Sequence, residues 1–168
     1  RRIRFTALEV SQAQVDFVRR FGNKLYYGDA SRLEMLRSAG AEQARLLVLA
    51  IDDVDASVRT AAVAHRHFPQ LRILARARNR QHAFRLMEAG VTEIWRETYA
   101  SSLEVAEAAL VALGTTREAA ASQVRRFRAH DEETLRAQAA VHDDETKLIA
   151  TAKASATQLE SLFEADAR

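Results

Sequence analysis

Apolar residues fall in short runs separated by charged and glycine-marked turns, and the period of the pattern changes along the chain. Ile3–Leu8 (IRFTAL) is short, β-rich and bounded by charge, which predicts a strand. Ser11–Phe21 puts Val15 and Val18 on one helical face, with Ser11 at the N-cap position and Gly22 just past the end. Lys24–Tyr27 (KLYY) predicts a second strand. Gly28–Ser31 turns into a helix carrying Leu33, Met35 and Leu36; Ser31 and Glu34 have the spacing of a capping box, and Gly40 closes the helix. Arg45–Ile51 (RLLVLAI) is a continuous apolar run, the pattern of a strand covered on both faces. A helix from about Asp53 to His67 follows, stopped by Pro69, the one proline of the chain. Leu71–Ala75 then predicts a strand, Asn79–Ala89 a helix ended by Gly90, and Val91–Trp95 a weaker strand.

This β-α-β-α-β-α-β-α-β order, with short turns, predicts an α/β fold with a doubly wound parallel sheet. From Ser101 the texture changes: no strand pattern remains, alanine becomes abundant, and charge runs appear at Asp131–Glu133 and Asp143–Glu145. Thr98–Leu113 and Arg117 to about Phe163 read as helices separated by Gly114. The thin apolar stripe of the long one (Val124, Phe127, Leu135, Val141, Leu148, Leu159, Leu162) predicts that it leans on a partner element or a second subunit. The expected organisation is an α/β domain over residues 1–100 and a helical extension over 101–168, the latter serving dimerisation or regulation.

Composition narrows the function classes. The chain has 168 residues, 48% of them hydrophobic, which supports a folded core and excludes a disordered chain. It has no cysteine, so disulfides and cysteine-ligated metal sites are excluded. No apolar stretch is long enough to span a membrane, and the start (Arg1-Arg2-Ile3-Arg4) lacks the apolar core of a signal peptide. The net charge of +2 gives no electrostatic case for a nucleic-acid partner. Its distribution is uneven: residues 1–100 carry 17 basic and 11 acidic side chains, residues 101–168 carry 8 and 12.

In a doubly wound sheet, ligands bind at the carboxyl ends of the strands. Glu9, Asp29 and Asp52 follow the first three predicted strands there. Glu9 suits a ribose if a further strand precedes it; the plainer reading is that Glu9 and Asp29 cap the helices that follow. No segment matches G-x-G-x-x-G. Arg72, Arg76, Arg78 and Arg80 cluster around the fourth strand, and Arg96 follows the fifth. Guanidinium forks suit carboxylates and phosphates. His65 and His67 are two apart, the wrong spacing for a helical metal pair, so no metal site is expected. No G-x-S-x-G context supports nucleophilic catalysis. A nicotinamide-dependent oxidoreductase is disfavoured, because no catalytic acid–base pair and no substrate domain are visible.

Several strings combine into something narrower than a fold. Phe21-Gly22, Tyr26-Tyr27-Gly28-Asp29-Ala30, Ala50-Ile51-Asp52-Asp53, His67-Phe68-Pro69, Ala75-Arg76-Ala77-Arg78, Ala89-Gly90-Val91 and Arg96-Glu97-Thr98-Tyr99 together resemble the cytoplasmic regulatory domain of the glutathione-gated potassium efflux antiporters, the Kef family. That domain is of the KTN type, also called RCK or TrkA-N. The likeness runs from about Ile3 to Leu113 and more loosely to the end. It implies a Rossmann-like domain, here without the first strand, first helix and glycine loop, that dimerises at the cytoplasmic face of the inner membrane. It also implies a nucleotide, AMP or NAD(H), met by Glu9, Asp29, Ala30, Ile51 and Asp52. Glutathione would be held by Arg78, Arg96 and Asp131, and would keep a potassium/proton antiporter shut until bulky conjugates open it, with Tyr99 or Phe127 sensing the bulk. An ancillary oxidoreductase subunit is a possible further partner. The alternative is a related regulatory subunit that gates a potassium channel or uptake system through nucleotide alone.

Overall fold

The computed structural model describes residues 3–22 and 24–166. The chain packs as two compact units, one of residues 1–78 and 85–95, the other of 79–84 and 96–168.

The first unit contains β1 (Leu8–Glu9), α1 (Gln12–Arg19), β2 (Tyr26–Tyr27), α2 (Leu33–Ser38), β3 (Leu46–Leu49), α3 (Val54–His67), β4 (Arg72–Ala77) and most of β5 (Glu93–Arg96). β1 pairs parallel with β2, and β3 pairs parallel with β4, with Leu46 opposite Arg72 and Leu49 opposite Ala75. The expected alternation and parallel pairing are therefore present, but the strands form two sheets, β1-β2 and β3-β4-β5. Among the described residues no strand joins β1 to β3.

Two expectations for the strands need correction. Ile3–Leu8 forms strand only at its end, and Ile3 and Phe5 are exposed. The run at Arg45–Ile51 is not covered on both faces: Leu46 and Val48 are exposed while Leu49 is buried. β4 shows the alternation of a one-sided strand. Ile73, Ala75 and Ala77 are buried on one side, and Arg72 and Arg76 lie on the other. Phe68, Leu36, Ala61 and Ala64 complete the core from the helices.

Caps decide the helix ends. Ser11 and Asp53 accept from the amides of Gln14 and Ala56, as N-caps should. The expected Ser31/Glu34 capping box does not form. Its helix starts from Arg32 with no side-chain cap, and Asp29 instead takes the Ser31 amide at 2.9 Å. Gly90 sits at φ +88°, where any Cβ would lie 2.7 Å from the His65 ring.

The second unit is helical: the start of α4 (Arg80–Glu88), then α5 (Tyr99–Ala112), α6 (Arg117–Ala139) and α7 (Glu145–Asp166). The single long helix expected from Arg117 to Phe163 is two helices, and α6 packs against both α5 and α7. The break at 140–144 follows from Asp144, which accepts the Lys147 amide at 3.1 Å and pairs with the Lys147 ammonium at 2.9 Å. Acidic groups at a helix start are favoured by its dipole. Leu103, Ala120 and Leu135 form the core. His130 on α6 is also buried, its Nε2 bonding the Ser155 hydroxyl of α7 at 2.8 Å. No described helix is long and apolar enough to cross a membrane.

Candidate functional site

In the first unit, the strand ends bring the expected acids to the same edge of each sheet. Glu9 ends β1 and accepts the Ser11 amide at 2.9 Å; Asp29 follows β2. Neither caps a helix: each accepts the amide two residues further on in the turn, while Ser11 caps α1 and α2 has no side-chain cap. The Ser31 bonds hold the Asp29 carboxyl below the usual aspartate range, with Arg59 and Arg32 adding to it. Ala30 and Ile51 are half-buried, and Asp52 is exposed beyond β3. The Arg76 guanidinium donates to the Asp52 carboxylate and, at 2.9 Å, to the Ala50 carbonyl. Arg78 reaches the Asp52 carbonyl at 3.5 Å. At the opposite, amino end of β4 and β5, Arg72 makes a bidentate pair with Glu93 at 2.5 Å, which draws Glu93 below its ordinary range; the carboxyl-end edge holds the Glu9, Asp29, Asp52, Arg76 and Arg78 groups. This edge therefore presents carboxylates, arginines and exposed backbone at the carboxyl ends of parallel strands, the usual place for a ligand in such sheets.

The second unit gathers a tighter group. Arg96, at the end of β5, donates to one oxygen of Asp131 on α6. Arg80, in the first turn of α4, donates to the other oxygen at 2.9 Å and to the Asp131 carbonyl at 3.4 Å. The Arg96 and Asp131 side chains are only 11% and 14% exposed, and Arg80 is 31% exposed. One carboxylate thus bridges two guanidinium groups in a half-dry setting, where charge-assisted bonds are strong, and the three groups together keep a net charge of +1. The Arg96 guanidinium also stacks on the Tyr99 ring, 3.8 Å from its centroid, a cation–π arrangement. Burial, then the Asp131 carboxylate, pushes the Tyr99 phenol up to about 12.

Local backbone holds this group in place. Thr98, between Arg96 and Tyr99, adopts φ +60°, and it is the one non-glycine residue with positive φ among those described. A β-branched residue there is strained. Its carbonyl accepts from the Ser102 amide at 2.7 Å and from the Ser101 hydroxyl at 2.8 Å, which anchors the start of α5.

Of the residues expected to meet glutathione, Arg96 and Asp131 lie together, whereas Arg78 belongs to the first unit. Arg80 and Tyr99 complete the cluster. The sequence showed Arg80 only as one arginine of several. Its selection depends on α4 starting at that residue, because Asn79 accepts the His82 amide at 2.8 Å and so fixes the first turn.

Comparison with known proteins narrows the reading. Residues 1–97 match the TrkA-N domain family, and residues 101–168 match the family described as "Potassium efflux system KefB C-terminal domain". A solved structure described as "Shewanella denitrificans Kef CTD in AMP bound form" is 40% identical, with a TM-score of 0.71; the match covers 80% of this chain and 81% of that one. The GsuK RCK domain is 21% identical over 56% of this chain and 20% of its own, with a TM-score of 0.50, and shares the fold.

Proposed function

The chain belongs to the Kef C-terminal domain family of potassium efflux systems, a regulatory domain that goes with a membrane transporter part, and we propose that it is the ligand sensor of a glutathione-gated potassium/proton antiporter. On this reading it sits at the cytoplasmic face of the inner membrane and catalyses nothing. Glutathione holds the transporter closed, and bulky conjugates open it. The observation that carries the proposal is the Arg96–Asp131–Arg80 cluster. Glutathione has two carboxylates and one ammonium. A carboxylate suits Arg96, with Arg80 beside it, and the ammonium suits Asp131. Asp131 orients both arginines until a ligand carboxylate replaces it as their counter-ion. Gating then requires that closed and open arrangements bind the ligand with different affinity.

The nucleotide reading rests on the AMP named for the Shewanella structure. Glu9 and Asp29 would take ribose hydroxyls, and Ala30, Ile51 and Asp52 would line the adenosine. Arg76, already bonded to Asp52, would orient that carboxylate.

Dimerisation is assigned to α5. Val105, Ala108, Ala109, Ala112 and Leu113 recur at i, i+3, i+4, i+7 and i+8, and all are exposed. Such a stripe is ordinarily covered. An ancillary oxidoreductase subunit is a further proposed partner.

The test is potassium efflux from cells whose Kef antiporter carries this domain. Arg96→Ala should leave the transporter leaky at normal glutathione levels while protein abundance is unchanged. Full closure by glutathione in Arg96→Ala would refute the assignment.

A further inference from the structure

The amino edge of the β1-β2 sheet, opposite the ends that carry Glu9 and Asp29, has no part in the proposed function. β1 and β2 run parallel, with Leu8 opposite Tyr26, and α1 packs on both. A crossover helix runs against the strands it joins, so α1 ends where β2 begins. The Arg19 guanidinium marks the place by donating to the Leu25 carbonyl at 3.2 Å. Arg4, ahead of β1, lies at the same end. Val15 is fully buried on the inner face of α1. Phe17 follows it by about 200° around the helix and so faces outward. Phe17 and Phe21 are 52% and 69% exposed, and their rings meet edge to face with centroids 5.2 Å apart. Arg20 and Lys24, both exposed, lie beside this pair in the chain. Residues 10–24 hold three cations against one acid, Asp16, whose carboxylate accepts from the Gln12 side-chain amide at 2.9 Å.

We infer that this edge rests on an anionic bilayer surface, with Phe17 and Phe21 among the headgroups and Arg4, Arg20 and Lys24 against the lipid phosphates. Charge and polarity together choose the partner. Cations around an outward aromatic pair match a surface that is anionic outside and apolar a few ångströms beneath. A nucleic-acid duplex offers the anions but no apolar layer for the two rings. A second copy set face to face on this edge brings like charges together. Seated this way, the sheet points Glu9 and Asp29 away from the bilayer, open to a dissolved ligand. The inference goes beyond the glutathione reading and stands without it, because it uses none of the same residues.

The probe is extruded vesicles, of phosphatidylcholine alone or of phosphatidylcholine mixed with phosphatidylglycerol, cosedimented with the full chain. The chain should partition onto the anionic vesicles and come off as ionic strength rises. Arg20→Gln and Lys24→Gln should each weaken partition about fivefold. The Phe17→Ser/Phe21→Ser double variant should weaken it at least about tenfold, with its fold checked by circular dichroism. In the unaltered chain, bicelles carrying a nitroxide headgroup should broaden the amides of residues 16–24 first, a readout that needs no variant. Equal partition onto both vesicles, unchanged partition of the folded double variant, or broadening centred outside residues 3–27 would overturn the inference. So would a lipid-free chain that the double variant shifts toward monomer in sedimentation velocity, which would give the edge to a second copy. Tighter binding to a DNA duplex than to the anionic vesicles would overturn it as well.

Discussion

Removing the Asp131 carboxylate should cost more stability than removing either arginine. Asp131→Ala leaves two guanidinium groups facing each other with no counter-ion, and Arg96 is only 11% exposed. Breaking a buried pair from one side costs about 3–5 kcal/mol; for a site still 11–31% exposed we expect about 2–3 kcal/mol after allowing for solvent screening. In a domain of this size each kcal/mol moves Tm by roughly 2–4 °C, so Tm should fall by about 5–10 °C. Arg96→Ala leaves Asp131 paired with Arg80 and also loses the Tyr99 stacking, for about 1–2 kcal/mol. Arg80→Ala, at the most exposed position, should cost under about 1 kcal/mol. The assay is urea unfolding of the single variants and of the Asp131→Ala/Arg96→Ala double variant, followed by helical circular dichroism. The coupling energy should exceed about 1 kcal/mol. Additive costs, or Arg80→Ala as the most damaging single change, would refute the shared-carboxylate account.

Other perturbations have defined signs. The Tyr99 phenol is raised to about 12, so its contribution is fully present below the unfolded value near 10 and is lost as pH rises from there through about 12. Tyr99→Phe should flatten that alkaline limb, read by thermal melts from pH 9 to 12. The Asp29 carboxyl is lowered by its Ser31 bonds. Its contribution is present above the ordinary value of about 3.9 and is lost as pH falls below it, so Asp29→Asn should shrink the acid limb of a pH–stability curve. Gly90→Ala forces a Cβ against the His65 ring at positive φ and should cost about 2 kcal/mol; adding His65→Ala should restore the steric part but not the backbone part. Val105→Glu on the exposed stripe of α5 should shift the chain toward monomer in sedimentation velocity; an unchanged oligomer would remove that stripe from the interface.

The sequence carried the alternation of strands and helices because Gly22, Gly40, Gly90, Ser11 and Asp53 mark their ends by local chemistry. It carried less where the outcome depends on distant partners. The Arg45–Ile51 run promises burial on both faces, but Leu46 and Val48 are exposed because no described layer covers them. The break between α6 and α7 was hidden in an acidic run that reads as solvated helix until the side chain of Asp144 is seen closing on the Lys147 amide. Arg96 was singled out through the Kef-like strings and Asp131 as a residue the resemblance implies, and the structure brings the two together. Arg80 was not singled out, because its role depends on how α4 meets α6. Thr98 gives no signal in the sequence, since nothing about threonine announces φ +60°.

The most direct measurement is calorimetric titration of glutathione into this chain, with and without AMP, beside the Arg96→Ala variant. The account predicts exothermic binding that Arg96→Ala weakens by about 1–3 kcal/mol, the scale of a charge-assisted hydrogen bond. A chain that is folded and binds AMP but shows no heat with glutathione, or equal affinity in Arg96→Ala, would contradict it.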